Sequence, residues 1–495
     1  MRSKILTLLS LALCATMSMA QVAMRSASFN NGEDSYSVTK TVFDESTSPN
    51  TDIQIRAKQL AGENILLAYY YFGQVYVKDS LQLDAKGKGT FKSKEKYPQG
   101  LYAICVKRAP VIDLILGDDQ SMTVKIDTTN HYDKVSVEGS LESLEFNNYA
   151  LFMKQLQRTS REKEALIKTL KDNAEIDKIK AELRLLGVSM TERQNALIAR
   201  YPKSMCGIFI KGLQSPEFKE PEGYNQLSDS MKWVIGYAFQ RDHYFDNIDL
   251  SDERSLHTPY LNQTLDTYMD KVLIQRYDSI IPPALKLVEK ARGNENTFRV
   301  ICNYMLQRSV KSNIMGMDRL LVDLGKNYYL NGTATWADST LKSNIEKEIK
   351  KIEHSLVGDE AHNIKLQGLD GKYRPIYDMG GSQFTVLFFF EPQCGHCKKT
   401  APQVAELYEA YKNDPRLKII AVYMLTDKKE WTDFIAEKKM QNMTNVWDPE
   451  RTSFYWYWYD TSSTPMIYVL DKNHKIFAKK IDADTLKLIF EHELK

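Results

Sequence analysis

Two cysteines three residues apart, in Cys394-Gly395-His396-Cys397, are the residues of this chain best equipped for chemistry. A strand-like run, Thr385-Val-Leu-Phe-Phe-Phe390, leads through Glu391-Pro-Gln into the pair, and Lys398-Lys-Thr-Ala-Pro402 continues it as helix. That order sets Cys394 at a helix N-terminus, where unpaired backbone N–H groups and the helix dipole stabilise a thiolate. Thiolate, not thiol, is the nucleophile. Residues three apart share a helix face at about 5–6 Å, a separation a disulfide can span, so Cys397 can attack a mixed disulfide formed at Cys394. The pair can thus cycle between dithiol and disulfide. The same spacing also serves as half a zinc site or as an inert structural bridge. Zinc needs two further ligands at similar spacing, and His362, His396, His474 and His492 are scattered. Copper suits soft thiolates, but no distal His or Met motif accompanies the pair. No metal and no cofactor are expected.

The elements that must hold the pair follow from the flanking pattern. Ser463-Thr-Pro-Met466 opens an apolar strand, Met466-Ile-Tyr-Val-Leu470. A proline there removes a ladder hydrogen bond, which makes sense if the Thr464–Pro465 bond is cis and its exposed backbone faces the sulfurs. Before it stands Phe454-Tyr-Trp-Tyr-Trp-Tyr459. Rings bury large areas, so alternate members are expected to pack beneath the sheet, leaving the rest as an apolar rim beside the sulfurs. Asp370-Gly371 is a hairpin signal, Leu417–Tyr423 and Lys475–Lys479 read as strands, and helices follow from Cys394, Lys428 and Asp484. Residues 356–495 therefore form one α/β domain.

Upstream, residues 141–355 read as an all-helical domain: Ile176, Ile179, Leu183 and Leu186 recur at helical spacing. Thr258-Pro259 fits the start of a helix from Tyr260 to Tyr277, and Pro282-Pro283 and Gly293 read as breaks. Residues 51–140 carry short β-rich runs with Gly-containing turns, which argues a small antiparallel β-sandwich. Residues 21–50, rich in Ser, Asn, Asp and Thr, read as a flexible leader. Residues 1–20, with Arg2 and Lys4, an apolar run and the small residues Ser18 and Ala20, have the layout of a cleaved secretory signal. A lipoprotein signal using Cys14 is the alternative, opposed by the large Leu13 before it. The six cysteines do not form a disulfide scaffold, which would be small and cysteine-dense; Cys105, Cys206 and Cys302 read as buried small hydrophobes, with a Cys206–Cys302 bridge left open.

The chain has 495 residues, 43% of them hydrophobic and 26% charged, enough for about three domains. Its 66 Lys and Arg against 64 Asp and Glu leave +2, a balance that excludes a global electrostatic grip on nucleic acid. Beyond the first segment no apolar run approaches the roughly 20 residues that cross a bilayer.

The apolar strand, the C-x-x-C helix and the Thr-Pro strand start together resemble the thioredoxin fold. Val357-Gly-Asp-Glu-Ala, the Gly371-Lys372 turn, Cys394-Gly-His-Cys-Lys-Lys, Pro402 and Thr464-Pro465 are similar to periplasmic TlpA/ResA-type thiol–disulfide oxidoreductases. Tyr244–Arg254 and Asn313–Asp318 extend the resemblance to exported multidomain members with an N-terminal β domain and a helical domain of unassigned role. The resemblance implies a periplasmic enzyme with protein thiols and disulfides as clients. A reductase fed by an inner-membrane electron donor, an isomerase, and a homo-oligomer formed through the helical domain stay open, as does a binding or scaffold protein with an inert Cys394–Cys397 disulfide. Two positions depart from the family. Phe388 stands where thioredoxin has a buried Asp, and Thr400 where ResA-like relatives have a Glu, so Glu391 is the nearest acid before the motif. The Gly395-His396 dipeptide matches that of protein disulfide isomerase; a protonated His396 beside Cys394 would stabilise the thiolate and raise the potential.

Overall fold

The computed structural model describes residues 50–127 and 134–494. The expected secretory signal and nearly all of the expected leader lie outside the described residues. The chain divides into two compact units, one extending to Leu273 and including Glu289–Phe298, the other made of Ile274–Val288 and Arg299–Lys495.

The first unit is founded on eight strands: β1 (Thr51–Arg56), β2 (Asn64–Tyr71), β3 (Gln74–Gln82), β4 (Lys88–Ser93), β5 (Gly100–Val106), β6 (Ala109–Leu116), β7 (Ser121–Asp127) and β8 (Lys134–Gly139). They make two four-stranded sheets, ordered β4-β1-β7-β8 and β3-β2-β5-β6. Ile53, Phe91 and Val124 of one sheet and Leu67, Ile104 and Leu114 of the other share a core. One pair departs from the antiparallel expectation: β1 runs parallel to β7, with Ile53 beside Met122. The reason is connectivity. Tight hairpins force antiparallel pairing, whereas parallel strands need a long crossover, and between β1 and β7 the chain passes through the other sheet.

The outer face of β3-β2-β5-β6 is covered by helices. Ala68, Leu101, Ala103 and Cys105 share a core with Phe146, Met153, Leu197 and Phe209, carried by the helices Leu141–Thr169, Asn173–Arg200 and Met205–Gly212. Both faces of β5 are therefore buried, at every residue, and its sequence lacks the alternation of a one-sided strand.

Two helical expectations are corrected. Thr258-Pro259 does not open the next helix, which runs Leu261–Thr267 from an N-cap at Tyr260 into a π-turn at Tyr268–Val272; the Thr258 hydroxyl donates instead to the Ser255 carbonyl at 2.7 Å. Pro282 and Pro283 do not break a helix but lie inside Tyr277–Ala291. Each proline costs a helix interior about 3 kcal/mol. Ile280, Ile281, Ala284, Leu287 and Val288 are all buried there, and at about 1.5–3 kcal/mol for each large apolar side chain the stripe outweighs the prolines.

The second unit carries a seven-stranded sheet ordered β10-β9-β13-β12-β11-β14-β15. Its strands are β9 (Lys365–Gly368), β10 (Tyr373–Pro375), β11 (Phe384–Phe390), β12 (Leu417–Tyr423), β13 (Thr444–Trp447), β14 (Met466–Leu470) and β15 (Ile476–Lys479). The expected Asp370-Gly371 hairpin joins β9 to β10, with Gly371 in the left-handed region at φ +76°. At the centre β11 pairs parallel with β12 and antiparallel with β14. Its Val386, Phe388 and Phe390 enter a core with Val404, Trp431 and Phe490, while Leu387 and Phe389 enter a second with Ile376, Tyr459 and Tyr468. Covered on both faces, β11 reads as an unbroken apolar run. Among the described residues no helix is long and apolar enough to cross a membrane.

Candidate active site

The end of β11 delivers the chain into a turn closed by Cys394 N–H donating to Glu391 O at 3.2 Å. Cys394 is then the N-cap of the helix Gly395–Tyr411, which sets its sulfur at the helix N-terminus. The backbone N–H groups of His396 and Cys397 face that sulfur. From the opposite side the Thr464 carbonyl accepts a hydrogen bond from the Cys394 thiol at 3.2 Å. The Thr464–Pro465 bond is cis, and its backbone faces the sulfur.

The two sulfurs have opposite electrostatics. Partial burial pushes the Cys394 thiol up, but hydrogen bonds from the Thr464 side chain, from the Cys397 backbone and thiol and from the His396 N–H outweigh it, and the thiol lies below the ordinary cysteine value. Cys397 is fully buried. Burial pushes its thiol up to about 12; the Glu391 N–H works against this, and the neighbouring Cys394 adds to it. Neither sulfur is in a disulfide in this structure, nor is that of the buried Cys105, Cys206 or Cys302, so no Cys206–Cys302 bridge is present.

The structure gathers Cys394, Cys397, Glu391, Thr464 and Pro465 at one place, though not always through the expected atoms. Glu391 reaches the pair by its backbone, as carbonyl to Cys394 N–H and as N–H to the Cys397 sulfur. His396 also acts through its backbone N–H, and its side chain is exposed. Gly395 has no atom within 4 Å of where a Cβ would stand, so space does not demand a glycine there. Phe388 is fully buried and stacks on Phe390 with centroids 5.5 Å apart, which leaves an apolar wall where thioredoxin has an acid. Among the described residues no group of three or more His, Cys, Asp or Glu is arranged to hold a metal ion.

The aromatic segment corrects the expected alternation. Tyr455–Trp458 is a single helical turn, so Tyr455 and Tyr459, four apart, are the buried members. Their hydroxyls donate to Met424 O at 2.7 Å and His362 O at 2.6 Å. Phe454 is 56% exposed, Tyr457 50% and Trp456 37%. Sequence reasoning missed one contact beside the pair: the Gln393 amide donates to Glu430 at 2.5 Å, and the Tyr423 hydroxyl reaches the same carboxylate at 2.8 Å. No local motif signals it, because Glu430 lies on the next helix.

Residues 381–476 match the family model described as thioredoxin-like. The C-terminal domain is thioredoxin-like. Solved structures similar to parts of the chain include a domain of a "possible thiol-disulfide isomerase" from Cytophaga hutchinsonii, 32% identical over 28% of this chain and 95% of that one, with a TM-score of 0.26. A thioredoxin-like protein from Bacteroides caccae is 16% identical over 56% of this chain and 98% of its own, with a TM-score of 0.41. The thioredoxin domain of a thiol-disulfide oxidoreductase from Bacteroides vulgatus is 23% identical over 28% and 98%, with a TM-score of 0.26. No curated protein matches the chain. The thioredoxin-like domain and its thiol pair support a redox function, set behind an N-terminal β-rich region and a central helical region.

Proposed function

We propose that the protein is an exported thiol–disulfide oxidoreductase that exchanges disulfides with protein clients through Cys394 and Cys397. The contrast within the pair carries this reading: an accessible thiol held below its ordinary pKa at a helix N-terminus, and a buried one pushed up to about 12. The Cys394 thiolate attacks one sulfur of a client disulfide, forming a mixed disulfide and releasing the other client sulfur as a thiolate that takes up a proton. Cys397 then gives up its proton and attacks the Cys394 sulfur; the mixed disulfide breaks, the second client thiol leaves, and the pair is a disulfide. Two electrons pass to the client. In the reverse direction the oxidised pair takes two electrons from a client dithiol. A periplasmic location would follow from the expected secretory signal at residues 1–20, and an inner-membrane donor would return electrons to the pair. Phe454, Trp456 and Tyr457 give unfolded or peptide segments an apolar surface in the same domain.

The test is differential labelling of the reduced, folded chain at mildly acidic pH. Cys394 should be alkylated first, with Cys397, Cys105, Cys206 and Cys302 labelled only after unfolding, because they are buried and burial holds Cys105 and Cys206 up at about 12. Equal or reversed labelling of Cys394 and Cys397 overturns the mechanism. A Cys397→Ser variant should trap clients as mixed disulfides in the exported compartment; if no adducts form there, the scaffold reading gains.

A further inference from the structure

Away from the sulfurs, the second unit buries a chain of polar groups. Lys479, at the end of β15, has a side chain only 2% exposed and pairs with Asp318 at 2.5 Å. Its ammonium also donates to the Ser355 carbonyl at 2.7 Å. The Ser355 hydroxyl oxygen accepts from the Asp460 N–H at 3.3 Å and lies 3.3 Å from the Tyr468 hydroxyl, which is also 3.2 Å from the Asp460 carbonyl. The buried Asp460 carboxylate pairs with Lys480 at 2.6 Å and accepts from the Ser462 N–H and hydroxyl at 3.2 and 2.6 Å. Two residues further on stands Thr464, whose carbonyl meets Cys394.

Burying a lysine is costly unless it is paired and hydrogen-bonded. Here Lys479 is paired by Asp318 and Ser355 of the helical part of the unit, and Ser355 in turn meets Asp460 of the segment that ends at Thr464. The network thus ties the strand start opposite the sulfurs to helical residues that contribute no side chain to the thiol pair. It also gives Asp318, at the end of Asn313-Ile-Met-Gly-Met-Asp318, a physical task that its sequence motif did not disclose.

We propose that Asp318, Ser355 and Asp460 are positioning residues for the thiol pair: through Lys479 and the Asp460–Ser462 turn they hold Thr464 against the Cys394 sulfur, so the helical part of this unit sets the reactivity of the nucleophile. The proposal rests on Cys394 being that nucleophile. The groups that face its sulfur are Cys397 and the His396 N–H on its own helix and Thr464 on the opposing segment, while Asp318, Lys479, Asp460 and Lys480 are paired among themselves. Their influence therefore runs through the placement of Thr464.

The experiment compares the pH profile of Cys394 alkylation in the reduced full chain with Ser355→Ala, Asp460→Asn and Asp318→Asn, each also followed by cooperative thermal unfolding. With Thr464 loosened, the thiolate loses the hydrogen bond that the Thr464 side chain gives it, and the profile should move to higher pH by about half a unit or more, which at a fixed acidic pH is about a threefold slower reaction. Asp318→Glu, which keeps the charge for Lys479, should restore most of the rate. Should Asp318→Asn fail to fold, Ser355→Ala, which leaves the Lys479 pair and the Ser355 carbonyl in place, carries the test with Asp460→Asn. Variants that unfold cooperatively at a lower temperature yet keep the wild-type alkylation profile would reduce the network to a structural staple and overturn the proposal. A wild-type chain in which Cys394 is not labelled first would instead overturn the underlying function.

Discussion

At Cys394 the helix N-terminus acts through individual donors. The N–H groups of His396 and Cys397 face the sulfur, whereas the His396 side chain is exposed. Imidazole charge and backbone N–H can therefore be separated by substitution. His396→Ala keeps the N–H and should leave the reduction potential nearly unchanged. His396→Pro removes the N–H at a position in the first helical turn, where proline is tolerated. A hydrogen bond to a charged group contributes about 1.5–3 kcal/mol, and about 30 mV corresponds to 1.4 kcal/mol for two electrons, so the potential should fall by roughly 30–60 mV against a glutathione buffer. The sign follows from the thiolate: losing a donor destabilises the reduced form and makes the pair more reducing. Equal shifts in the two variants would return the effect to the imidazole.

At the scale of elements, the aromatic turn separates stability from surface. Tyr459 is fully buried, lies 5.2 Å from Tyr468 centroid to centroid and donates to His362 O. Truncating it to Ala should cost about 3–5 kcal/mol, as for other large core aromatics, and Tyr459→Phe about 1 kcal/mol for the lost hydrogen bond. Phe454 and Trp456 face solvent, with Arg451 4.6 Å above the Trp456 ring. Their Ala variants should lose no more than about 1 kcal/mol while exchanging disulfides more slowly with an unfolded protein than with a small-molecule disulfide. Urea unfolding together with the two exchange rates tests this. A parallel loss on both substrates would mean that the rings do not bind clients.

At the scale of the whole molecule, the first unit carries its own pH dependence, independent of the thiols. Asp113 in β6 and Tyr70 in β2 each enclose an oxygen without a hydrogen-bond partner, and burial pushes the Asp113 carboxyl up to about 7. An unfolded carboxyl titrates near 3.9. Between the two values the folded unit holds a proton that the unfolded chain has released, so the Asp113 contribution is complete below about pH 4 and is lost as pH rises towards 7, by at most about 1.4 kcal/mol per pH unit. Urea unfolding from pH 4 to 8 should show the wild type losing stability relative to Asp113→Asn across that window and running parallel to it above. A difference that stays constant from pH 5 to 8 would mean that the carboxyl is charged in the folded unit.

Much of the fold and of the site was legible in the chain because it depended on local chemistry. The apolar run Thr385–Phe390, the two cysteines three apart and Thr464-Pro465 each carry their conformational consequence within a few residues, and the sheet, the helix start and the facing loop came out as those residues imply. Hairpin and helix signals worked for the same reason. They failed where a distant partner outweighed them: the packed stripe of Tyr277–Ala291 overrode two prolines, and the crossover through a second sheet set β1 parallel to β7. Which atom of each site residue does the work was settled by tertiary structure alone. His396 and Glu391 act by backbone because the turn from β11 into the helix points their N–H groups at the sulfurs, and no side-chain type encodes that direction. The same holds for Asp318, Ser355, Asp460 and Lys479, which are ordinary surface residue types in the sequence. They form a buried network only because packing excludes water from all four, and an unpaired charge or polar group there would be too costly to keep.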